Sequence, residues 1–320
     1  MSVLDDRRID AVPAAPPGRP RSRRRGRLVR KLLGEQPLGA ALAAPYVVFL
    51  ATVFAYPLGL AVWISFHDYF FTAPGVAVPK PFVGLDNYVA VLTDPGVRRS
   101  FLNIGIFLVI NVPLTVVLAL VVAAGLNRIT RFKALLRVGY YVPYVTASVA
   151  VVGVWLFMFS SGGIVNSVLG PLAPNPSWLV NSSLAMPSIA VFVVWKQLGL
   201  FVLLYLAALQ AVPKELYEAA SMDGAGKFRS FMSVTVPAVR PATTLVAVLA
   251  LITGANLFTE PYLLTGGGGP DGASASPVLL MYQKGIEQGN PDVASAIGVL
   301  LVIGVLIVGL VSRAISQRVS

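Results

Sequence analysis

The 320-residue chain contains no cysteine and a single histidine, His67. Without thiols there is neither a disulfide framework nor a thiolate metal site, and one imidazole excludes His-cluster metal chemistry, so no metal site is expected. Charge is scarce as well: 12% of residues are charged and 56% are hydrophobic. A soluble domain carries about 25% charged residues; half that share is too little to solvate a globular surface. With one histidine and no cysteine, a convergent catalytic set is remote, and no catalytic residue is assigned.

In place of these groups the chain has long apolar runs. A bilayer core about 30 Å thick takes about 20 mostly apolar residues in a helix. Six segments qualify: Leu38 to Phe66, Phe101 to Leu126, Val138 to Ser160, Leu184 to Ala211, Thr243 to Leu264 and Val293 to Val311. Each is apolar on every face, without the polar stripe of a soluble helix. No polar segments exist to cover them as buried core helices. The expected fold is all-α, a multi-pass protein of the cell membrane with six transmembrane helices.

The net charge of +11 is unevenly spread. Ten of the 25 basic residues precede the first span. The second connection holds Arg128, Arg131, Lys133 and Arg137, the fourth holds Lys214, Lys227, Arg229 and Arg240, and the tail adds Arg313 and Arg318. The odd-numbered connections hold only Lys80, Arg98, Arg99 and Lys284, with Lys196 left inside a span. Basic loops stay in the cytoplasm, which places both termini there. The charge is therefore a topology signal, and no nucleic-acid partner is expected. Residues 1–37, rich in Pro, Ala and Arg, read as a disordered basic cytoplasmic tail rather than a cleaved signal peptide. Residues 38–320 form the six-helix domain.

The fourth connection, 212–241, has a pattern of its own. Pro213 suits a helix start, with Glu215 and Glu218 near the positive end of a short helix. Asp223-Gly224 is a turn signal. The stretch from Ala225 to Val234 predicts a second short helix with Phe228 and Phe231 on one face, and Pro237 and Pro241 mark the return to the membrane. The result is a helix–turn–helix projecting from the cytoplasmic face, with small residues that admit another surface closely.

At these residues the chain resembles the permease subunits of ATP-binding-cassette importers, whose hallmark is a cytoplasmic EAA–x–x–x–G loop. Glu218, Ala219, Ala220 and Gly224 fit it, and Asp223-Gly224-Ala225, Phe231 and Pro237 stand at the usual offsets. The resemblance implies a type I importer fold and a loop that sits in a groove on a dimeric ATPase. It also implies a second homologous permease and an extracytoplasmic solute-binding protein. No cofactor is expected on this chain; ATP and magnesium belong to the partner ATPase. Phe82-Val83-Gly84-Leu85-Asp86-Asn87-Tyr88 and Leu264-Thr265-Gly266-Gly267-Gly268-Gly269-Pro270 narrow the likeness to the carbohydrate branch, so that a sugar or sugar-like solute is implied.

Two tempting phosphate motifs fail. Gly226-Lys227 is followed by Phe228 where a P-loop needs Ser or Thr, and Ser221 replaces its first glycine. The Gly266–Gly269 run has no following Lys and reads as a flexible external turn.

Polar groups deep in a span are costly unless they face a cavity or a partner. Lys196 and Gln197 lie about a dozen residues from either end of their helix, too far for the ammonium to snorkel easily. Lys196 is expected to face a cavity, with an ion pair inside the bundle as the competing reading. Asn256 offers both donor and acceptor to hydroxyls, and Phe258 a ring for a sugar's apolar face. The resemblance adds Leu200 to the solute-lining set, and Glu260 lies a turn further out, at the entrance. Asn111 and Pro113 read as a kink. An ion-coupled secondary transporter is the alternative; it predicts paired broken midplane helices, of which the sequence shows no clear pair, and leaves the 212–241 loop unexplained.

Overall fold

A computed structural model describes residues 37–72, 76, 78–128 and 133–319. The expected basic tail falls outside the described residues except for Pro37. The chain divides into two units, Met1–Gly59 and Leu60–Ser320. In the first, α1 (Pro37–Leu50) passes through a π-helical turn (Ala51–Ala55) into α2 (Tyr56–Ser65), which crosses the boundary between units. The Thr52 hydroxyl donates to the Val48 carbonyl one turn back, as a helix in an apolar environment requires of its polar side chains.

The second unit continues with α3 (Asp86–Thr93), α4 (Pro95–Arg128), α5 (Lys133–Val145), α6 (Ser148–Phe159), α7 (Ile164–Leu169) and α8 (Ala185–Gln210). Then follow α9 (Lys214–Met222), α10 (Lys227–Ser230), α11 (Val236–Ala238), α12 (Arg240–Ala255), α13 (Thr259–Leu264), α14 (Pro277–Tyr282) and α15 (Pro291–Val319). Among the described residues, five helical stretches are long and apolar enough to cross a bilayer, and a sixth arises if the segments 227–238 and 240–255, bent by 69°, are one span. No strand occurs among the described residues.

Two of the expected spans are not continuous. The third breaks between α5 and α6, where Ala147 is extended (ψ 127°) and the Thr146 hydroxyl closes on the Val142 carbonyl at 2.7 Å. The fifth breaks between α12 and α13. There the Asn256 side chain donates to the Ile252 carbonyl at 2.8 Å, ending α12, and the Leu257 carbonyl accepts from the Ser276 hydroxyl. Side chains thus satisfy backbone groups that lipid cannot, which lets irregular backbone persist inside a bundle.

Packing centres on α4, α8 and α12. One apolar cluster joins Leu126, Leu209, Val239 and Val246 with Leu136, Val212, Phe231 and Val236, so the second and fourth connections lie at the same end. A second cluster holds Ile104, Phe107, Phe192, Val193 and Leu257. At the other end Val91, Val97, Ala296 and Ile297 pack together. Gly199 is essential to this arrangement: a Cβ there would lie 2.1 Å from the Tyr140 carbonyl oxygen, because α5 crosses α8 backbone to backbone.

The Gly266–Gly269 run, expected as a flexible external turn, folds into a hydrogen-bonded turn. All four glycines have positive φ, and the turn is tied by Ser274 N to Gly268 O (2.8 Å) and by Gln283 Nε2 to Gly267 O (3.1 Å). The Asn103 amide donates to the Gly272 and Ala275 carbonyls and fastens the same loop to α4.

At this end Asp94 caps α4, accepting from the Gly96 and Val97 backbone, and pairs with Lys284 at 3.0 Å. Partial burial opposes ionisation of Asp94, but the Lys284 and backbone hydrogen bonds prevail and hold its pKa below the ordinary 3.8. A depressed carboxylate stabilises above its unfolded pKa, and the benefit disappears as pH falls through the folded value. Asp94→Ala is therefore expected to cost about 1 kcal/mol at neutral pH, mostly the cap. Asp94→Asn, which keeps the cap, should flatten the acid side of a melting temperature–pH curve.

Candidate functional site

Mid-bundle, the two helix breaks converge on Lys196 of α8. Its ammonium donates to the Ser148 hydroxyl at the first residue of α6 and lies 3.6 Å from the Glu260 carboxylate at the start of α13. Both charged side chains are only 13% exposed. Three spans, the third, fourth and fifth, are therefore joined at one cation. The bundle ion pair that competed with a cavity-facing Lys196 is present, and Glu260 is its partner rather than a group set apart at an entrance.

The neighbouring polar side chains continue outward from this pair. The Thr253 hydroxyl donates to Gln197 Oε1 at 3.3 Å, linking α12 to α8. Thr253 and Asn256 are exposed, Gln197 is half-buried, and Leu200 is half-buried four residues beyond Lys196 on the same helix. Phe258 stacks on Tyr262 (ring centroids 5.5 Å apart), and Tyr282 meets both rings edge-on. The structure thus joins Lys196 to Glu260 directly, ties Gln197 to Thr253, and places Asn256 and Phe258 on the adjoining break. Leu200 makes no polar link to them. An apolar groove of about 400 Å³ lies elsewhere, between α5 and α8, against Tyr140, Pro143, Trp195 and Leu198.

Ser148 and Thr253 were missed by the sequence reading. The signal was there for Ser148: Thr146-Ala147-Ser148 is a polar interruption in an otherwise apolar run. Asn111 is 1% exposed on α4, and neither its amide nitrogen nor its oxygen has a hydrogen-bond partner.

The 212–241 loop forms a helix, a turn and a helix. Pro213 precedes α9, with Glu215 in its first turn. Gly224 follows with φ +74°, a left-handed value that glycine adopts without cost, and the Ala225 N–H closes on the Ala220 carbonyl at 2.9 Å. From Gly226 the chain runs through α10, a π-helical turn (Phe231–Thr235) and α11, which contains Pro237. Tyr217 and Thr235 share a hydrogen bond that ties the two arms together.

Glu215, Glu218, Ala219, Asp223 and Gly224 are exposed, and Ala220 and Ala225 are half-buried. Phe228 and Phe231, expected on one face, differ in burial: Phe231 packs into the cluster beneath the loop, whereas Phe228 is 74% exposed. Three α-helical residues set the two rings about 60° apart round the axis, and the edge of the cluster falls between them. Met222 is 87% exposed near Phe228 in sequence, so the loop's outer surface carries uncovered apolar side chains among charges.

Comparison with known proteins adds a further finding. Residues 115–320 match the family described as "Binding-protein-dependent transport system inner membrane component". The trehalose/maltose transport system permease protein MalF of Thermococcus litoralis is 33% identical over 274 residues, covering 85% of this chain and 91% of that one. The sulfoquinovosyl glycerol transport system permease protein SmoG of Agrobacterium fabrum is 29% identical over 272 residues, covering 84% and 87%. Among solved structures, a bacterial ABC transporter involved in import of the acidic polysaccharide alginate has a similar fold, with TM-score 0.73 at 21% identity, over 92% of this chain and 99% of that one.

Proposed function

Since the chain belongs to the family of binding-protein-dependent transport system inner membrane components, and is thereby a multi-pass membrane permease subunit, we propose the assembly and chemistry in which it works. It pairs with a second homologous permease and with a dimeric ATPase, which holds the ATP and magnesium. A binding protein delivers a sugar or sugar-like solute from outside, and both termini lie in the cytoplasm. The grouping of the basic second and fourth connections at one end of the bundle supports that orientation.

The observation that carries this reading is the 214–238 helix–turn–helix, whose outer surface leaves Met222 and Phe228 uncovered beside Glu218 and Gly224. Closure of the ATPase dimer would pull this loop, and α12, which leaves it at 69°, would pass the movement to the break at Asn256. Solute would meet Gln197, Asn256 and Phe258 on a face that the second permease completes. This is coupling between two sites through a two-state assembly.

The test is uptake of trehalose, maltose and other candidate sugars by proteoliposomes holding the complete complex. Uptake is expected to require ATP inside and the binding protein outside. Uptake that proceeds without ATP and follows an ion gradient would instead support the secondary-transporter alternative.

A further inference from the structure

The geometry points to a charge rule for the solute: the pathway takes uncharged, polyhydroxylated molecules, and Glu260 is the residue that turns anionic ones away. This deepens the permease reading and rests on it. A lone lysine at mid-span would suit an anion, because an uncompensated cation in a low-dielectric site attracts opposite charge strongly. Lys196 is not alone, since Glu260 and Ser148 already occupy its ammonium from two other spans.

No other Lys, Arg, Asp or Glu lies within residues 100–127, 138–210, 241–264 or 293–311, so these stretches add no further charge to the pair. Recognition of carboxylate, phosphate or sulfonate usually employs arginine forks or several converging cations. Here an incoming anion would have to displace a carboxylate that is 13% exposed and already bound. The groups that adjoin the pair along α8 and the α12–α13 break are neutral: the Gln197 and Asn256 amides, the Thr253 hydroxyl and the Phe258 ring. These suit hydroxyls and the apolar face of a sugar ring.

The experiment uses the purified complex in lipid nanodiscs, titrated calorimetrically with inorganic phosphate at constant ionic strength. The double variant Lys196→Met, Glu260→Gln supplies the background, including phosphate taken up by the ATPase. Glu260→Gln, which frees Lys196, is expected to bind phosphate at least ten-fold more tightly than wild type, with that increment absent from the double variant. The swapped pair Lys196→Glu, Glu260→Lys keeps the site neutral and should show no increment. Wild-type binding as tight as that of Glu260→Gln, an increment in the swapped pair, or no increment in Glu260→Gln would each overturn the rule. Failure of an ATPase to accompany the intact chain would strike the permease reading instead, so the two ideas fail by different measurements.

Discussion

Glu218→Arg and Gly224→Asp are each expected to abolish solute uptake, by about a hundred-fold or more, while the chain stays folded and membrane-inserted. Both positions are exposed, and exposed substitutions usually change stability by no more than about 0.5 kcal/mol. A Cβ placed on Gly224 meets nothing within 4 Å in this chain, but its φ of +74° strains any side chain there, a backbone cost of about 1 kcal/mol even for aspartate. Glu218→Arg carries no such backbone cost, so any conflict it meets comes from a partner surface. Interface anchors at the centre of a contact cost about 2–4 kcal/mol when disrupted, enough for the stated loss. Uptake by proteoliposomes, read beside the melting temperature of the purified chain, checks the result. Normal uptake by both variants would show that the loop does not couple.

The second large effect falls on the bundle. Gly199→Ala should reduce thermal stability by about 3 kcal/mol or more, the upper range for overpacking. The added methyl would sit 2.1 Å from the Tyr140 carbonyl oxygen and 2.8 Å from the Tyr141 Cα. These are backbone atoms on a helix, so no side chain can swing aside and α5 must move off α8. The break at Thr146–Ala147 follows α5, and the bond from Lys196 to Ser148 spans it, so solute transport should fail together with stability. Gly153→Ala is the control: its Cβ meets nothing within 4 Å, and the melting temperature should hold. A Gly199→Ala chain that melts as wild type does would contradict the close crossing.

These two glycines show what the sequence disclosed and what it could not. Gly224 was legible because a turn is a local matter: Pro213, Asp223 and Gly224 specify helix start and stop within a dozen residues. The spans were legible for the same reason, as apolar length is read along the chain. Gly199 was not, since its meaning depends on Tyr140, 59 residues away, arriving at that spot. The helix breaks were only partly legible: Thr146-Ala147-Ser148 and Asn256 interrupt apolar runs, with Pro143 and Pro261 a few residues away, but polar residues and prolines also occur inside continuous spans, as Asn111 and Pro113 do in α4. What ends α12 is the Asn256 amide turning back on Ile252, with Ser276 reaching over from the following connection.

The candidate site divides in the same way. Lys196 stood out as a cation in an apolar run, and Asn256 as an amide in another. That Glu260 neutralises Lys196 depends on the relative rotation of α8 and α13, which packing sets. Without that rotation Glu260 could be placed only by its distance along the span, a turn further out. Phe228 and Phe231 differ for a smaller reason. Three residues apart in an α-helix places side chains as neighbours but about 60° apart round the axis, and the edge of the cluster that takes Phe231 falls between them.

The central claim is that this chain supplies a pathway and a handle for an ATPase held on another subunit. Its most direct test is purification of the tagged chain from its native membrane, with the ATP-hydrolysing activity that accompanies it measured. Intact protein should bring down an ATPase dimer and a second permease, with hydrolysis stimulated by solute-loaded binding protein. Recovery of the folded chain with no ATPase, under conditions that preserve the membrane complex, would contradict the account.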